Sequence, residues 1–262
     1  MNQDAMRHAA RMLCEHRLAR QPLDQLPGHL RPRDEAEAYA IQELLHHELA
    51  AKLGPLRGHK IGCTTVVMQR FLNIPNPCAG AVFESTVYQS PARVRHADFV
   101  RVGVECEIVV RLARDLLPAG AVFTRHNVAV AVGEVMAGME IVDARYLDYQ
   151  QLNTPTLIAD DFFDAGCVLG EAVQDWRVFD LAALCGSTKI NDQEVGRGKG
   201  ADVMGHPFEA LAWLANNLAA RGKFLRAGEF VFTGSVVETK WVKSGDRVMT
   251  QIDRLGQVEA QF

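Results

Sequence analysis

The stretch Val102-Gly103-Val104-Glu105-Cys106-Glu107-Ile108-Val109-Val110-Arg111-Leu112 sets two glutamates, two residues apart, inside an otherwise apolar and β-branched run. Enrichment of this kind reads as a strand. On a strand the spacing puts Glu105 and Glu107 on one face, about 7 Å apart along the backbone, while Cys106, Ile108 and Val110 take the other. Paired carboxylates in a partly buried place repel each other and lose hydration, and a cation relieves both penalties. A second apolar run, Val135 to Arg145 (VMAGMEIVDAR), is interrupted by Glu140, with Asp143 near its end. Carboxylates without a His or Cys pairing favour Mg²⁺ or Mn²⁺ over zinc. The competing reading makes both runs half-exposed strands at a sheet edge whose acids face water.

The 262 residues suffice for a sizeable core. The net charge of -4 argues against a nucleic-acid partner. Cys14, Cys63, Cys78, Cys106, Cys167 and Cys185 contain no C-x-x-C pair, so they read as reduced, mostly buried thiols. The start, MNQDAMRHAARMLCEHRLAR, is too charged for a secretory signal core, and its acids Asp4 and Glu15 argue against an organellar presequence. No run approaches membrane-spanning length, so a cytoplasmic location without a membrane partner is expected.

Along the chain, residues 4–20 read as a helix and 21–33 as a Pro-rich loop carrying His29. A second helix is capped by Asp34, carries the stripe Ile41, Leu44, Leu45, Leu49 and Leu53, and stops at Gly54-Pro55. His46 and His47 read as solvated residues of that helix. Gly58 and Gly62 bracket Lys60, which suggests a turn that aims the lysine inward as a proton donor or oxyanion partner, against the alternative of an exposed turn lysine. Residues 64–72 read as helical with Thr64 as cap. Short strands then dominate, joined by a loop over 113–127. Leu157 to Ala165 (LIADDFFDA) clusters Asp160, Asp161 and Asp164, for which solvation in a loop is the expectation. The run Gly196-Arg197-Gly198-Lys199-Gly200 lacks the spaced P-loop pattern and reads as a flexible loop. Pro207 opens a helix through Ala220, and strands at 230–233, 247–252 and 258–262 finish a β-rich half.

Five segments in order carry a resemblance: GHKIGCTTVVMQ (58–69), VECEIVVRL (104–112), MEIVDAR (139–145), GHPFEALAWLANNLAARG (205–222) and AGEFVFTGS (227–235). Together they resemble the 2-keto-4-pentenoate hydratase and 2-oxo-3-hexenedioate decarboxylase group of the fumarylacetoacetate hydrolase superfamily. The resemblance implies an α+β fold: a mixed β-roll with surrounding helices and a helical N-terminal region. Residues 1–80 would form that region with the active-site lysine loop, and residues 81–262 the β-roll catalytic domain. It further implies Mg²⁺ or Mn²⁺ held by Glu105, Glu107 and Glu140, Lys60 as the catalytic residue, and Lys60, Asp160 and Ser235 facing substrate. The expected partner is a small 2-oxo acid or dienoate from aromatic catabolism, bound by a homo-oligomer.

Two departures bear on the substrate. Family members read Pro-Arg where this chain has Val102-Gly103, and Ala-Asp-Asn where it has Ala159-Asp160-Asp161. A lost arginine and a gained acid change how a second substrate carboxylate would be received, with Arg101 or Lys240 as candidate replacements. The leading expectation is hydration of a 2-hydroxy-2,4-dienoate to a 4-hydroxy-2-oxo acid. The alternatives are decarboxylation of a 2-oxo-3-enedioate, C-C bond hydrolysis using His29 with Glu35 or Glu37, and a metal-stabilised binding or scaffold protein without catalysis.

Overall fold

Asn2 accepts the Ala5 N–H and starts helix α1 (Gln3–Ala19), whose buried face is Ala9, Ala10, Leu13 and Cys14. The computed structural model describes residues 1–118, 120 and 122–262. Asp34 caps α2 (Glu35–Leu53) by accepting the Glu37 N–H at 2.9 Å, and Gly54 ends it at φ +81°. Then come β1 (Leu56–Gly62), α3 (Val66–Phe71), β2 (Cys78–Phe83), β3 (Val87–Gln89), β4 (Ala92–Arg93) and β5 (Val102–Leu112). They are followed by α4 (Arg125–Val128), β6 (Val132–Asp143), α5 (Thr154–Ala159), β7 (Asp164–Leu169), β8 (Cys185–Ile190) and β9 (Gln193–Lys199). The chain ends with α6 (Pro207–Ala220), β10 (Phe230–Trp241), β11 (Arg247–Ile252) and β12 (Gly256–Gln261). Among the described residues no helix is long and apolar enough to cross a membrane.

The strands form a seven-stranded sheet, β2-β1-β10-β5-β6-β7-β3, and a five-stranded sheet, β4-β12-β11-β8-β9. Both are mixed: β1 runs parallel to β10, β3 to β7 and β4 to β12. The second sheet lies against β5, β6 and β10 of the first. Between them, Cys106, Ile108, Val236, Val248, Ile252 and Val258 form part of the shared core. The first sheet curls. Lys60 on β1 meets Glu140 on β6 although three strand spacings of about 4.8 Å separate those strands, more than the two side chains could bridge across a flat sheet. Its ends approach each other where Ala79 to Ala81 meets Ile158 to Asp161, and Gln42 of α2 stitches the seam by donating to the Ala79 and Ile158 carbonyls at 2.8 and 2.7 Å. This is the mixed β-roll with surrounding helices.

Three local expectations need correction. Lys60 lies within a strand and not on a turn; Gly62 is required because a Cβ there would stand 2.4 Å from the Phe162 ring. The Gly196 to Gly200 run is the end of β9 and the turn after it. Its alternate glycines share one strand face, and a Cβ on Gly198 would stand 1.7 Å from the Val236 carbonyl oxygen, so the pattern marks close passage over β10 and not flexibility. The short helix α3 is capped by Thr65, one residue later than expected, leaving Thr64 free to pack against Gly234.

Candidate active site

Strands β5 and β6 lie in the middle of the seven-stranded sheet, so the sheet-edge reading of their acids fails. Glu105 stands opposite Glu140 in the antiparallel register, and Glu107 opposite Gly138. One carboxylate oxygen from each of Glu105, Glu107 and Glu140 falls within 4.8 Å of the others. Glu107 and Glu140 are buried, and Glu105 is partly exposed. Glu107 Oε2 accepts the Gly234 N–H at 2.7 Å, and Glu105 Oε1 accepts the Thr239 hydroxyl. Gly234 at φ +121° is a position that side chains rarely adopt, and a Cβ there would meet Thr64 Oγ1 at 2.4 Å.

The triad is short of positive charge. Glu107 Oε1 and both Glu140 oxygens lack a directed hydrogen bond, although Lys60 Nζ stands 2.9 Å from Glu140 Oε1 as an ion pair. The ammonium directs a hydrogen bond to the Phe162 carbonyl at 2.7 Å and lies 5.2 Å from the centre of that ring. Burial pushes the Glu107 carboxyl well up, and the neighbouring Glu140 and Glu105 add to it. Burial likewise raises Glu140 to about 8, with Lys60 pulling down and Glu105 pushing up. For Lys60, burial works against the charge, but Glu140 and Glu105 outweigh it and hold the lysine above its ordinary value as a cation. Oxygens bound to one hard cation at about 2.0 to 2.6 Å stand roughly 4 to 5 Å apart at most, so the three acids have the spacing, donor type and unmet charge that a divalent ion satisfies.

The aspartates of the 160–164 segment are not solvated. Asp160 accepts from Arg145 Nε at 3.0 Å and from the Tyr146 hydroxyl at 3.1 Å, and none of the three glutamates is among its partners. Asp161 accepts from Arg17 at 3.0 Å, from His46 Nε2 at 2.6 Å and from the Ala81 N–H at 3.1 Å. Burial opposes its ionisation, but His46 and Arg17 prevail and lower its pKa to about 2. Asp164 accepts from Arg17 at 3.0 Å; burial raises its pKa to about 6 against the pull of Arg17. Asp161, Phe162 and Phe163 are all left-handed, at φ 57°, 48° and 67°. Such a conformation costs non-glycine residues on the order of 1 to 2 kcal/mol each, and is kept only where surrounding contacts fix it.

The remaining candidates have other partners. Ser235 pairs in register with Glu107, and its hydroxyl donates to the Val237 carbonyl. Arg101 stacks on Trp241 at 4.1 Å, and Lys240 pairs with Glu238. His29 is exposed, Glu35 accepts from Asn76, and Glu37 is bound by Arg33 and the N-terminal amine; a His29–glutamate pair is absent among the described residues. Asp143 is structural, accepting the Val100 and Arg101 N–H groups that lead into β5. Thr239, the Phe162 carbonyl, Arg17 and His46 were not anticipated. A signal existed for two of them: Arg17 follows Ala10, Leu13 and Cys14 at helical spacing on the buried face of α1, and His46 follows buried Gln42 on α2.

Residues 66–262 match the family described as fumarylacetoacetate (FAA) hydrolase C-terminal. The chain is 35% identical to a 2-keto-4-pentenoate hydratase of Paraburkholderia phymatum over 87% of this chain and 86% of that one. It is also 35% identical to a 2-hydroxyhexa-2,4-dienoate hydratase of Comamonas testosteroni, over 78% of this chain and 77% of the relative. Among solved structures, 4-oxalocrotonate decarboxylase from Pseudomonas putida G7, complexed with magnesium and adipate, superposes with a TM-score of 0.94. That match covers 100% of this chain and 98% of the other at 24% identity, a likeness of fold. The rolled mixed sheet, its central acids and these matches agree: the chain belongs to the fumarylacetoacetate hydrolase family, alongside the 2-keto-4-pentenoate hydratases.

Proposed function

We propose that this chain is a metal-dependent lyase that hydrates a 2-hydroxy-2,4-dienoate to a 4-hydroxy-2-oxo acid, with Glu105, Glu107 and Glu140 as ligands of Mg²⁺ or Mn²⁺. The observation that carries the reading is the buried Lys60 ammonium, 2.9 Å from Glu140, beside carboxylate oxygens with no directed partner. When bound, the ion supplies a Lewis acid for the oxygens at the 2-oxo acid end of the substrate. In the first stage the enol oxygen loses its proton and C5 gains one, giving the conjugated 2-oxo-3-enoate. Water oxygen then bonds to C4, and C3 takes the second proton.

In this reading Lys60 acts on the oxygen at C2. It is held cationic by Glu140 and Glu105, and its low-water surroundings strengthen its attraction for negative charge developing there. Ser235, beside Glu107 in register, is the proposed second contact to substrate. Asp160 contributes through the segment it anchors, since Arg145 and Tyr146 occupy its carboxylate. Asp161, the acid gained relative to the family pattern, does not present a bare charge to a substrate, because Arg17 and His46 neutralise it.

The relatives named as hydratases support hydration over decarboxylation. Purified protein with Mg²⁺ should bleach the absorbance of a monocarboxylic 2-hydroxydienoate and form a 4-hydroxy-2-oxo acid. Stoichiometric CO₂ from a 2-oxo-enedioate, without hydration of the dienoate, would overturn the choice in favour of a decarboxylase. Consumption of neither compound would leave the fold without this activity.

A further inference from the structure

Lys60 reaches the triad from a strand, and its ammonium hydrogen-bonds to a carbonyl across the seam of the roll. Phe162 supplies that carbonyl at 2.7 Å from Nζ, and it does so from the middle of three consecutive left-handed residues. Both acids that flank the two phenylalanines, Asp161 and Asp164, are gripped by one side chain. Arg17 at the end of α1 gives Nη1 to Asp161 Oδ2 and Nη2 to Asp164 Oδ2, each at 3.0 Å, with all three side chains buried. His46 of α2 holds the other oxygen of Asp161 at 2.6 Å, and the Ala81 N–H shares it at 3.1 Å.

We propose that Arg17 is a positioning residue for the reaction: it clamps Asp161 and Asp164 so that the left-handed turn presents the Phe162 carbonyl to Lys60 and aims the ammonium at Glu140. The inference rests on the proposed role of Lys60. A planar, two-pronged guanidinium suits the task, because one rigid group fixes the distance between two carboxylates three residues apart, which a lysine cannot do. Strained backbone kept by surrounding contacts is also where mechanism tends to be stored. The arrangement divides the site along the chain. The matched family segment, residues 66–262, supplies the three glutamates, whereas Lys60 and Arg17 both lie before it. The N-terminal helix thus acts on the chemistry through this segment, without touching the triad.

The test combines hydrogen exchange with a kinetic cycle on the full chain. In Arg17→Met, amide exchange over residues 160–164 should quicken at least about tenfold, while exchange in β5 stays at the parent rate. Turnover with Mg²⁺ and a dienoate should fall roughly 10- to 100-fold in kcat, the loss typical of an outer supporting group, with Mn²⁺ affinity unchanged. In a Lys60→Met background the same Arg17→Met change should cost less than about twofold, because its target is gone. Arg17→Lys should recover only part of kcat. If Arg17→Met does not fold, His46→Gln enters the same cycle and should show a several-fold kcat loss that vanishes with Lys60. Equal losses in both backgrounds, or unaltered exchange over 160–164, would overturn the proposal and leave Arg17 a structural ion pair. If the parent turns over no dienoate, the hydratase reading fails, and the exchange measurement alone decides whether Arg17 holds the turn.

Discussion

Glu105, Glu107 and Glu140 face one ammonium, that of Lys60, whereas Asp160, Asp161 and Asp164 face the guanidiniums of Arg17 and Arg145, the imidazole of His46 and the Tyr146 hydroxyl. Both clusters are built from three acids, and both are buried apart from Glu105. Their electrostatics diverge. The chain supplies the aspartates with cations from its own helices and loops, which lower Asp161 to about 2, although burial still raises Asp164 to about 6. It leaves the glutamates in deficit, so Glu107 and Glu140 are pushed upward. An unpaired buried charge is costly, and a fold keeps such a deficit where a ligand makes it good. If the glutamates bind the proposed ion and the aspartates only position backbone, substitutions should affect the two clusters in opposite ways.

The largest effect is expected at Glu107. Glu107→Gln keeps the acceptor for the Gly234 N–H but removes one charge that the metal needs. Turnover with Mg²⁺ should drop on the order of 10³-fold or more, since a bound ion contributes several kcal/mol to the transition state. The melting temperature of metal-free protein should hold or rise, because burial already favours the neutral Glu107 carboxyl, which glutamine mimics, and any remaining like-charge repulsion is removed. Calorimetry showing a drop of many degrees without metal would mean that the triad is a structural cluster like the other.

On the aspartate side the expected cost falls on stability. Arg145 donates to the Asp160 side chain and to the Asp160 and Asp164 carbonyls at 3.0, 2.8 and 2.7 Å. Arg145→Met strands those groups inside the protein, a loss of about 3 to 5 kcal/mol for a broken buried pair. Thermal unfolding should move down by on the order of 10 °C. A shift of only a degree or two would show that the aspartates do not depend on their guanidiniums.

Lys60→Met probes the one cation paired with the deficient cluster among the described residues. Methionine keeps much of the stem volume, so packing should be nearly preserved, and the loss should appear as about 2.7 to 4 kcal/mol in the transition state, or roughly 10² to 10³ in turnover. Metal affinity should change much less, and any change should be toward tighter binding, since a positive neighbour of Glu140 is removed. Parent-level turnover in this variant would reduce Lys60 to a buried counter-ion.

How far these clusters can be read from sequence follows from where their signals lie. The glutamates are legible because each interrupts a local apolar run, and Pro207 to Ala220 emerges with its bounds because proline and the helical stripe are local too. The aspartates look like loop acids because their partners are distant in the chain: Arg17 lies 144 and 147 residues from Asp161 and Asp164, and His46 lies 115 from Asp161. The same limit explains two misread glycine patterns. Gly62 makes room for Phe162, and Gly198 for the Val236 carbonyl, contacts that only the rolled and stacked sheets create. Local chemistry marks a glycine but does not say whether it turns the chain or lets another segment pass.

The smallest effect sharpens the comparison through pH. Without metal, burial raises the Glu140 carboxyl from its ordinary 4.5 to about 8, against the downward pull of its Lys60 partner. A raised folded pKa means that this group's contribution to stability is fully present below about 4.5 and is lost as pH rises through about 8. Metal binding requires the carboxylate, so it must displace protons within that window and competes less with them toward its alkaline end. Saturating Mg²⁺ should therefore raise the melting temperature by roughly 5 to 10 °C at the alkaline end and by little at the acidic end. Asp164, raised to about 6, titrates inside the same window and adds to the upward push on Glu140. The aspartate cluster predicts no such dependence on metal. A Mg²⁺-induced shift of equal size at both ends would mean that no strongly raised carboxyl takes part in binding, and would place the ion away from Glu140.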